Sequence, residues 1–157
     1  GRTRQESVRL ALERLAAAEG PDLLVAIHDG ARCFVNPSVI AAAIHASAEH
    51  GAVTVAVPVV DSIKRIDEGL RVQESLRREE LWQVQTPQVF RLGVLLGAHE
   101  RCRREDPAGY ERSTDDASLV ERYDTVRVVP GERSNLKLTT PEDYAYARYL
   151  VAQESGR

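Results

Sequence analysis

Leu23 to Arg32 read LLVAIHDGAR. The first half is a continuous apolar run, the pattern of a short strand buried on both faces. It stops abruptly at His28, and within five residues the chain places an imidazole, a carboxylate, a glycine and a guanidinium. A strand that delivers polar side chains at its carboxyl end points to a layered α/β domain, because such sheets bind ligands beyond their strand ends.

The rest of the chain repeats the pattern. Ala52 to Val60 (AVTVAVPVV) is a second β-branched strand, and Thr125 to Val129 (TVRVV) a third. Ser7 to Ala18 is an amphipathic helix with Ser7 as its expected N-cap and Gly20-Pro21 as its stop. Asn36-Pro37-Ser38 opens a helix over 39–50, ended by Gly51. Helices are also expected over 92–104, 116–122 and 144–153, the last with Thr140 as N-cap and Pro141 in its first turn. Between the second strand and the 92–104 helix, the flanks of Asp67-Glu68-Gly69 alternate apolar with polar residues, the sign of a projecting β-hairpin over 62–76. The order predicts a mostly parallel central sheet with a hairpin arm at about 61–80.

With 157 residues there is room for one domain and little more. The net charge of −3 argues against a dedicated nucleic-acid binder, which carries a basic excess. No apolar stretch nears the roughly 20 residues a membrane helix needs, and the opening residues do not read as a signal peptide. Cys33 and Cys102 are too few for a disulfide framework, so a reduced, cytoplasmic setting is expected.

Three strand-end clusters carry the chemistry. Asp29 could hold Mg²⁺ while Arg32 forks onto phosphate oxygens, or the two could pair with each other. Asp61-Ser62-Ile63-Lys64-Arg65 follows the second strand and reads by itself as a solvated edge. Lys137 sits between Leu136 and Leu138, where an unpaired ammonium is costly, so it needs a carboxylate or a phosphate. Lys64 and Lys137 are the only lysines in an arginine-rich chain. His28 is expected to orient its loop, His45, His50 and His99 to be surface or packing residues, Trp82 to be a packing anchor, and one carboxylate of Thr114-Asp115-Asp116 to cap a helix.

In order, G-x-x-R-x-x-S-V (Gly1, Arg4, Ser7, Val8), HDGAR, PVVDSIKR, LWQVQTPQVF, STDDASLVE and GERSNLKLTTPEDY resemble the 2-C-methyl-D-erythritol 4-phosphate cytidylyltransferase family from Gly1 to about Leu150. The resemblance implies a three-layer Rossmann-like nucleotidyltransferase fold and a homodimer clasped through the arm. It implies a Mg²⁺-dependent transfer of a cytidylyl group from CTP to the polyol phosphate, with release of pyrophosphate. It matches Gly1, Ser7 and Gly30 to the nucleotide, and Asp29 to the metal and substrate. It matches Arg32, Ser62, Arg78 and Lys137 to the sugar phosphate, with Arg78 and Lys137 in the catalytic roles.

Gly30 stands where the family usually has Ala, Ser62 where it has Thr, and Cys33 where it has Pro. The family's N-terminal Gly-rich triphosphate loop has no counterpart between Gly1 and Arg157. The chain is therefore expected to be the C-terminal two-thirds of the enzyme, inactive by itself and with an exposed sheet edge. The alternatives are a cytidylyltransferase for another polyol phosphate, such as ribitol 5-phosphate, and a non-catalytic dimerising remnant.

Overall fold

The computed structural model describes residues 1–155. The elements are α1 (Arg4–Ala16), β1 (Leu24–Ile27), α2 (Pro37–His50), β2 (Ala52–Pro58), β3 (Lys64–Ile66), β4 (Val72–Ser75), β5 (Trp82–Arg91), α3 (Leu92–Glu105), α4 (Pro107–Arg112), α5 (Ala117–Val120), β6 (Arg127–Pro130) and α6 (Pro141–Ser155). A single 3-10 turn spans Arg78–Glu80.

The main sheet has the order β1-β5-β2-β6. β2 pairs parallel with β6, whereas β5 runs antiparallel to both β1 and β2. Strands β1, β2 and β6 therefore share one direction and end on one edge, where the amino end of β5 joins them. Strand β5 is the strand that the sequence reading left unassigned. Its Gln85, Thr86 and Gln88 are buried at 5%, 6% and 0% exposure, so polar residues interrupt the apolar run that marks an interior strand. Pro87 cannot donate to a ladder, and the β2–β5 register slips between Thr54 and Ala56, beside it.

Strand β1 is not buried on both faces. It is an edge strand with Ala26 exposed, and its apolar run reflects packing on one face only. Strand β2 is buried almost throughout, as its composition requires. The alternation of side chains along the strands divides the core in two. Val53, Val55 and Val89 pack with Val39 and Ala43 of α2 on one face. Phe90 packs with Leu12 of α1, Leu92 and Leu95 of α3 and Leu119 of α5 on the other. Helices on both faces of a mixed sheet form three layers.

Helix α1 begins at Arg4, and its N-cap is Thr3, whose hydroxyl accepts from the Glu6 N–H, rather than Ser7. Ser7 lies within the first turn and donates its hydroxyl to the Thr3 carbonyl. The Thr140 cap at α6 is present. Strands β3 and β4 form a hairpin of their own, with Ile66, Leu70 and Val72 exposed at 52%, 79% and 61%. Its left-handed residue is Leu70 at φ 59°, next to the glycine that the turn reading favoured.

Candidate functional site

A cleft of about 840 Å³ opens along the edge where β1, β2 and β6 end. The segment after β6 builds one side of it by crossing that edge. Gly131 N–H donates to the Ala56 carbonyl of β2 (2.8 Å). Next, the Gln85 side chain of β5 donates to the Glu132 carbonyl (2.9 Å). The Asn135 side chain then donates to the Thr86 carbonyl (2.8 Å), and Leu138 N–H to the Ala31 carbonyl after β1 (2.8 Å). The chain thus spans from β2 across β5 to β1 in eight residues. Gly131 permits the first step, because a Cβ there would collide with Gln85 Oε1 and stand 2.7 Å from Val55 Cγ1. Downstream, Asp143 accepts from the Thr139 and Thr140 N–H groups. Those bonds hold its carboxyl below the usual range and pin the loop at its far end.

This crossing brings Lys137 to Asp29. Lys137 Nζ lies 3.2 Å from Asp29 Oδ2, and Arg32 Nε lies 3.3 Å from the same oxygen. Of the two readings of the HDGAR segment, the pairing of Asp29 with Arg32 is observed, beside the cleft that Arg32 lines. Arg32 also donates to the Asn135 carbonyl (2.9 Å). His28 orients the loop, as expected. Its Nε2 lies 3.1 Å from the Arg32 carbonyl, which can only accept, so this nitrogen carries the proton. Its Nδ1 meets the Thr86 hydroxyl at 2.9 Å, and that hydroxyl accepts from the Asp29 N–H (3.0 Å).

The remaining expected residues are not all brought to this cluster. Arg32 and Lys137 line the cleft, together with Asp61, Ile63 and Arg133. Ser62 and Arg78 belong to the arm and do not line it. Arg78 donates to the Val60 carbonyl (3.2 Å), with its side chain 57% exposed. At Gly30 a Cβ would meet nothing within 4 Å, so the family's Ala would fit. Gly1 and Ser7 lie together at the start of α1, where a Cβ on Gly1 would strike Ser7 N at 2.5 Å. They are tied to the strand ends indirectly. Arg4 forms an ion pair with buried Asp116 at 2.5 Å, and the Gln88 side chain of β5 accepts from the Asp116 N–H (3.2 Å).

Trp82 is no packing anchor. It is 41% exposed and lines the cleft, because it opens β5 beyond the helical layers. Of Asp115 and Asp116, the first caps α5 through Ser118 N–H. Asp116 is buried against His99, whose Nε2 lies 3.5 Å from Asp116 Oδ1. Thr86, Gln85 and Asn135 escaped the sequence reading. The only available signal was a cluster of amides and hydroxyls inside apolar runs, which polar burial makes costly unless paired.

Among the described residues no three His, Cys, Asp or Glu side chains gather to cage an ion. Asp29 supplies one carboxylate at the cleft mouth. That donor set fits Mg²⁺ held through one carboxylate and a ligand's phosphates, the ion's common mode.

Residues 1–153 match the family profile of IspD, 2-C-methyl-D-erythritol 4-phosphate cytidylyltransferase. The chain belongs to this family. It is 46% identical to the 2-C-methyl-D-erythritol 4-phosphate cytidylyltransferase of Halalkalibacterium halodurans, with 100% of the chain and 65% of that relative aligned. It is 47% identical to the bifunctional enzyme IspD/IspF of Nitrobacter winogradskyi, with 99% of the chain and 38% of that protein aligned. Among solved structures, the Thermus thermophilus cytidylyltransferase superposes with a TM-score of 0.81 at 35% identity, covering 97% of this chain and 71% of that one. The Francisella tularensis IspD superposes at 0.84 with 31% identity, covering 95% and 68%. The chain spans 65% or less of the length of the curated family relatives it matches. Fold and family membership are thus secured together, and the IspD family is one of cytidylyltransferases.

Proposed function

We propose that the cleft is the sugar-phosphate half of a cytidylyltransferase site, which transfers a cytidylyl group from CTP to 2-C-methyl-D-erythritol 4-phosphate for isoprenoid precursor synthesis. The observation that carries this is the convergence of Asp29, Arg32 and Lys137, drawn from opposite edges of the sheet onto one cleft mouth. Two cations sharing one carboxylate leave a net positive charge, which suits a phosphate dianion.

In this reading Lys137 and Arg32 hold the substrate phosphate as the nucleophile. A phosphate oxygen attacks the α-phosphorus of CTP, the new P–O bond forms, and the bond to the β-phosphate breaks to release pyrophosphate. The chain's residues supply position and charge rather than covalent chemistry. Asp29 would hold Mg²⁺, which when bound neutralises phosphate charge. Gly1, Ser7 and Gly30 face the nucleotide, where Gly1 and Gly30 leave room for close approach. Ser62 contacts the sugar phosphate.

Arg78 lies outside the cleft lining of its own chain. It reaches the substrate phosphate from the arm of a second copy in a homodimer. A cytoplasmic setting fits a chain in which no described helix is long and apolar enough to cross a membrane.

Isothermal titration of the chain with 2-C-methyl-D-erythritol 4-phosphate and with ribitol 5-phosphate tests the reading. Saturable binding of the first, weaker binding of the second, and loss of both with Lys137→Ala are expected. Equal binding of both compounds would move the assignment to another polyol phosphate. Binding of neither would overturn it.

A further inference from the structure

Asn135 is fully buried, yet it belongs to no set of residues that touches a ligand in the reading above. It nevertheless joins the 131–138 segment to both β5 and Arg32. Its side-chain Nδ2 donates to the Thr86 carbonyl (2.8 Å) and to Gln85 Oε1 (3.3 Å). Its backbone N–H donates to the Glu132 carbonyl (3.1 Å). Its own carbonyl accepts from Arg32 Nη1 (2.9 Å), and it stands two residues before Lys137.

The amide is held in one orientation, because both of its neighbours are acceptors. A flipped amide would set oxygen against oxygen at Thr86. The orientation has a cost: Asn135 Oδ1 is buried with no hydrogen-bond partner among the described residues. An unpaired buried acceptor is unfavourable.

We propose that Asn135 is a positioning residue. Its side chain clamps the 131–138 segment onto β5, so that its carbonyl fixes the Arg32 guanidinium and the next turn of chain delivers Lys137 to Asp29. The role in phosphate binding rests on the assignment of Arg32 and Lys137 as the phosphate-holding pair, whereas the clamp itself is independent of that assignment.

Two readouts separate the clamp from the ligand. The first is the nuclear magnetic resonance order parameter of the Arg32 Nε–H in the ligand-free chain. It is high in the unmodified protein and falls in Asn135→Asp, which sets acceptors against Thr86 and Gln85, and in Asn135→Ala, which only deletes the donors. The second is affinity for 2-C-methyl-D-erythritol 4-phosphate. It falls about tenfold or more in either variant, the scale of one charge-assisted hydrogen bond. In an Arg32→Ala background the same substitution then adds less than its full effect, because only the part that acts through Lys137 is left.

An Arg32 order parameter unchanged in Asn135→Ala overturns the proposal, as does a full further loss in the Arg32→Ala background. If Arg32 loosens in the variants but the unmodified chain binds no polyol phosphate, the clamp stands and the assignment of the cleft fails. Should Asn135→Asp not fold, Asn135→Ala carries both measurements. Should neither fold, slow solvent exchange of the Asn135 side-chain amide protons in the unmodified chain supports the clamp, and fast exchange overturns it.

Discussion

Lys137 Nζ stands 3.2 Å from Asp29 Oδ2 although the strands that precede them, β6 and β1, are the two outer strands of the sheet. Three strand spacings of about 4.8 Å separate those edges. The contact exists because the segment after β6 runs back across the sheet, bonded in turn to β2, to the amino half of β5 and to the turn after β1. Asp29 is thereby shared between a cation of its own turn and one from the far side of the sheet.

Replacing Lys137 by Ala should barely alter stability, because its side chain is 47% exposed and such pairs contribute about 1 kcal/mol or less. Its effect should instead fall on ligand affinity, by about tenfold or more for the polyol phosphate. Thermal unfolding and calorimetric titration of the same sample separate the two. A large loss of stability with unchanged affinity would assign Lys137 to structure alone.

Asp116 should dominate the acid sensitivity of the fold. Burial pushes its carboxyl up, but His99 and Arg4 outweigh that and hold it below its ordinary value of 3.8. A carboxyl depressed in the folded state contributes stability that is present above about pH 4 and is lost as pH falls through the folded value. Urea midpoints measured between pH 5 and pH 3 should therefore fall more steeply for the unmodified chain than for Asp116→Asn. At pH 7 that variant should lose roughly 3 kcal/mol, the lower end for a broken buried pair, because Arg4 retains access to water.

Gly131→Ala should destabilise the chain by about 1–3 kcal/mol, the usual cost of forcing an atom into a packed site. The added carbon would displace Gln85 Oε1 and press on Val55, so the hydrogen bond from Gln85 to the Glu132 carbonyl would be disturbed with it. Denaturant unfolding checks the stability, and loss of polyol-phosphate affinity should accompany it. An unchanged midpoint would show that the segment can start its crossing without this glycine.

The arm should be covered in solution by a second copy. A two-stranded hairpin is marginal by itself, and this one holds Ile66, Leu70 and Val72 in water. Light scattering coupled to size exclusion should report a dimer, and Val72→Glu should shift it to monomer without lowering the thermal midpoint of the main domain. A monomeric unmodified chain would remove the route by which Arg78 reaches a neighbour's cleft.

Much of this fold was legible along the chain. The apolar run of β2, the Asn36-Pro37 start of α2, the Thr140 cap and the projecting hairpin appear where local pattern puts them, since each depends on residues close in sequence. Strand β5 was not legible, because Gln85, Thr86, Pro87 and Gln88 break the apolar pattern of an interior strand. They are tolerated since each polar group there finds a partner on another segment. Similarly, the strand buried on both faces that was expected over Leu23–Ile27 could not be told by composition from a half-exposed edge strand, as only pairing settles where in the sheet a strand lies.

Local sequence determined which residues could carry chemistry here. A carboxylate and a guanidinium placed at a strand exit, and a lysine among leucines, need partners whatever the fold. Who those partners are was decided by tertiary structure alone. The path of the 131–138 segment over three strand ends depends on backbone carbonyls presented by β2, β5 and the β1 turn, and no periodicity encodes such contacts. Asp29 therefore meets Lys137, and Asn135 meets Thr86, only once the sheet has formed.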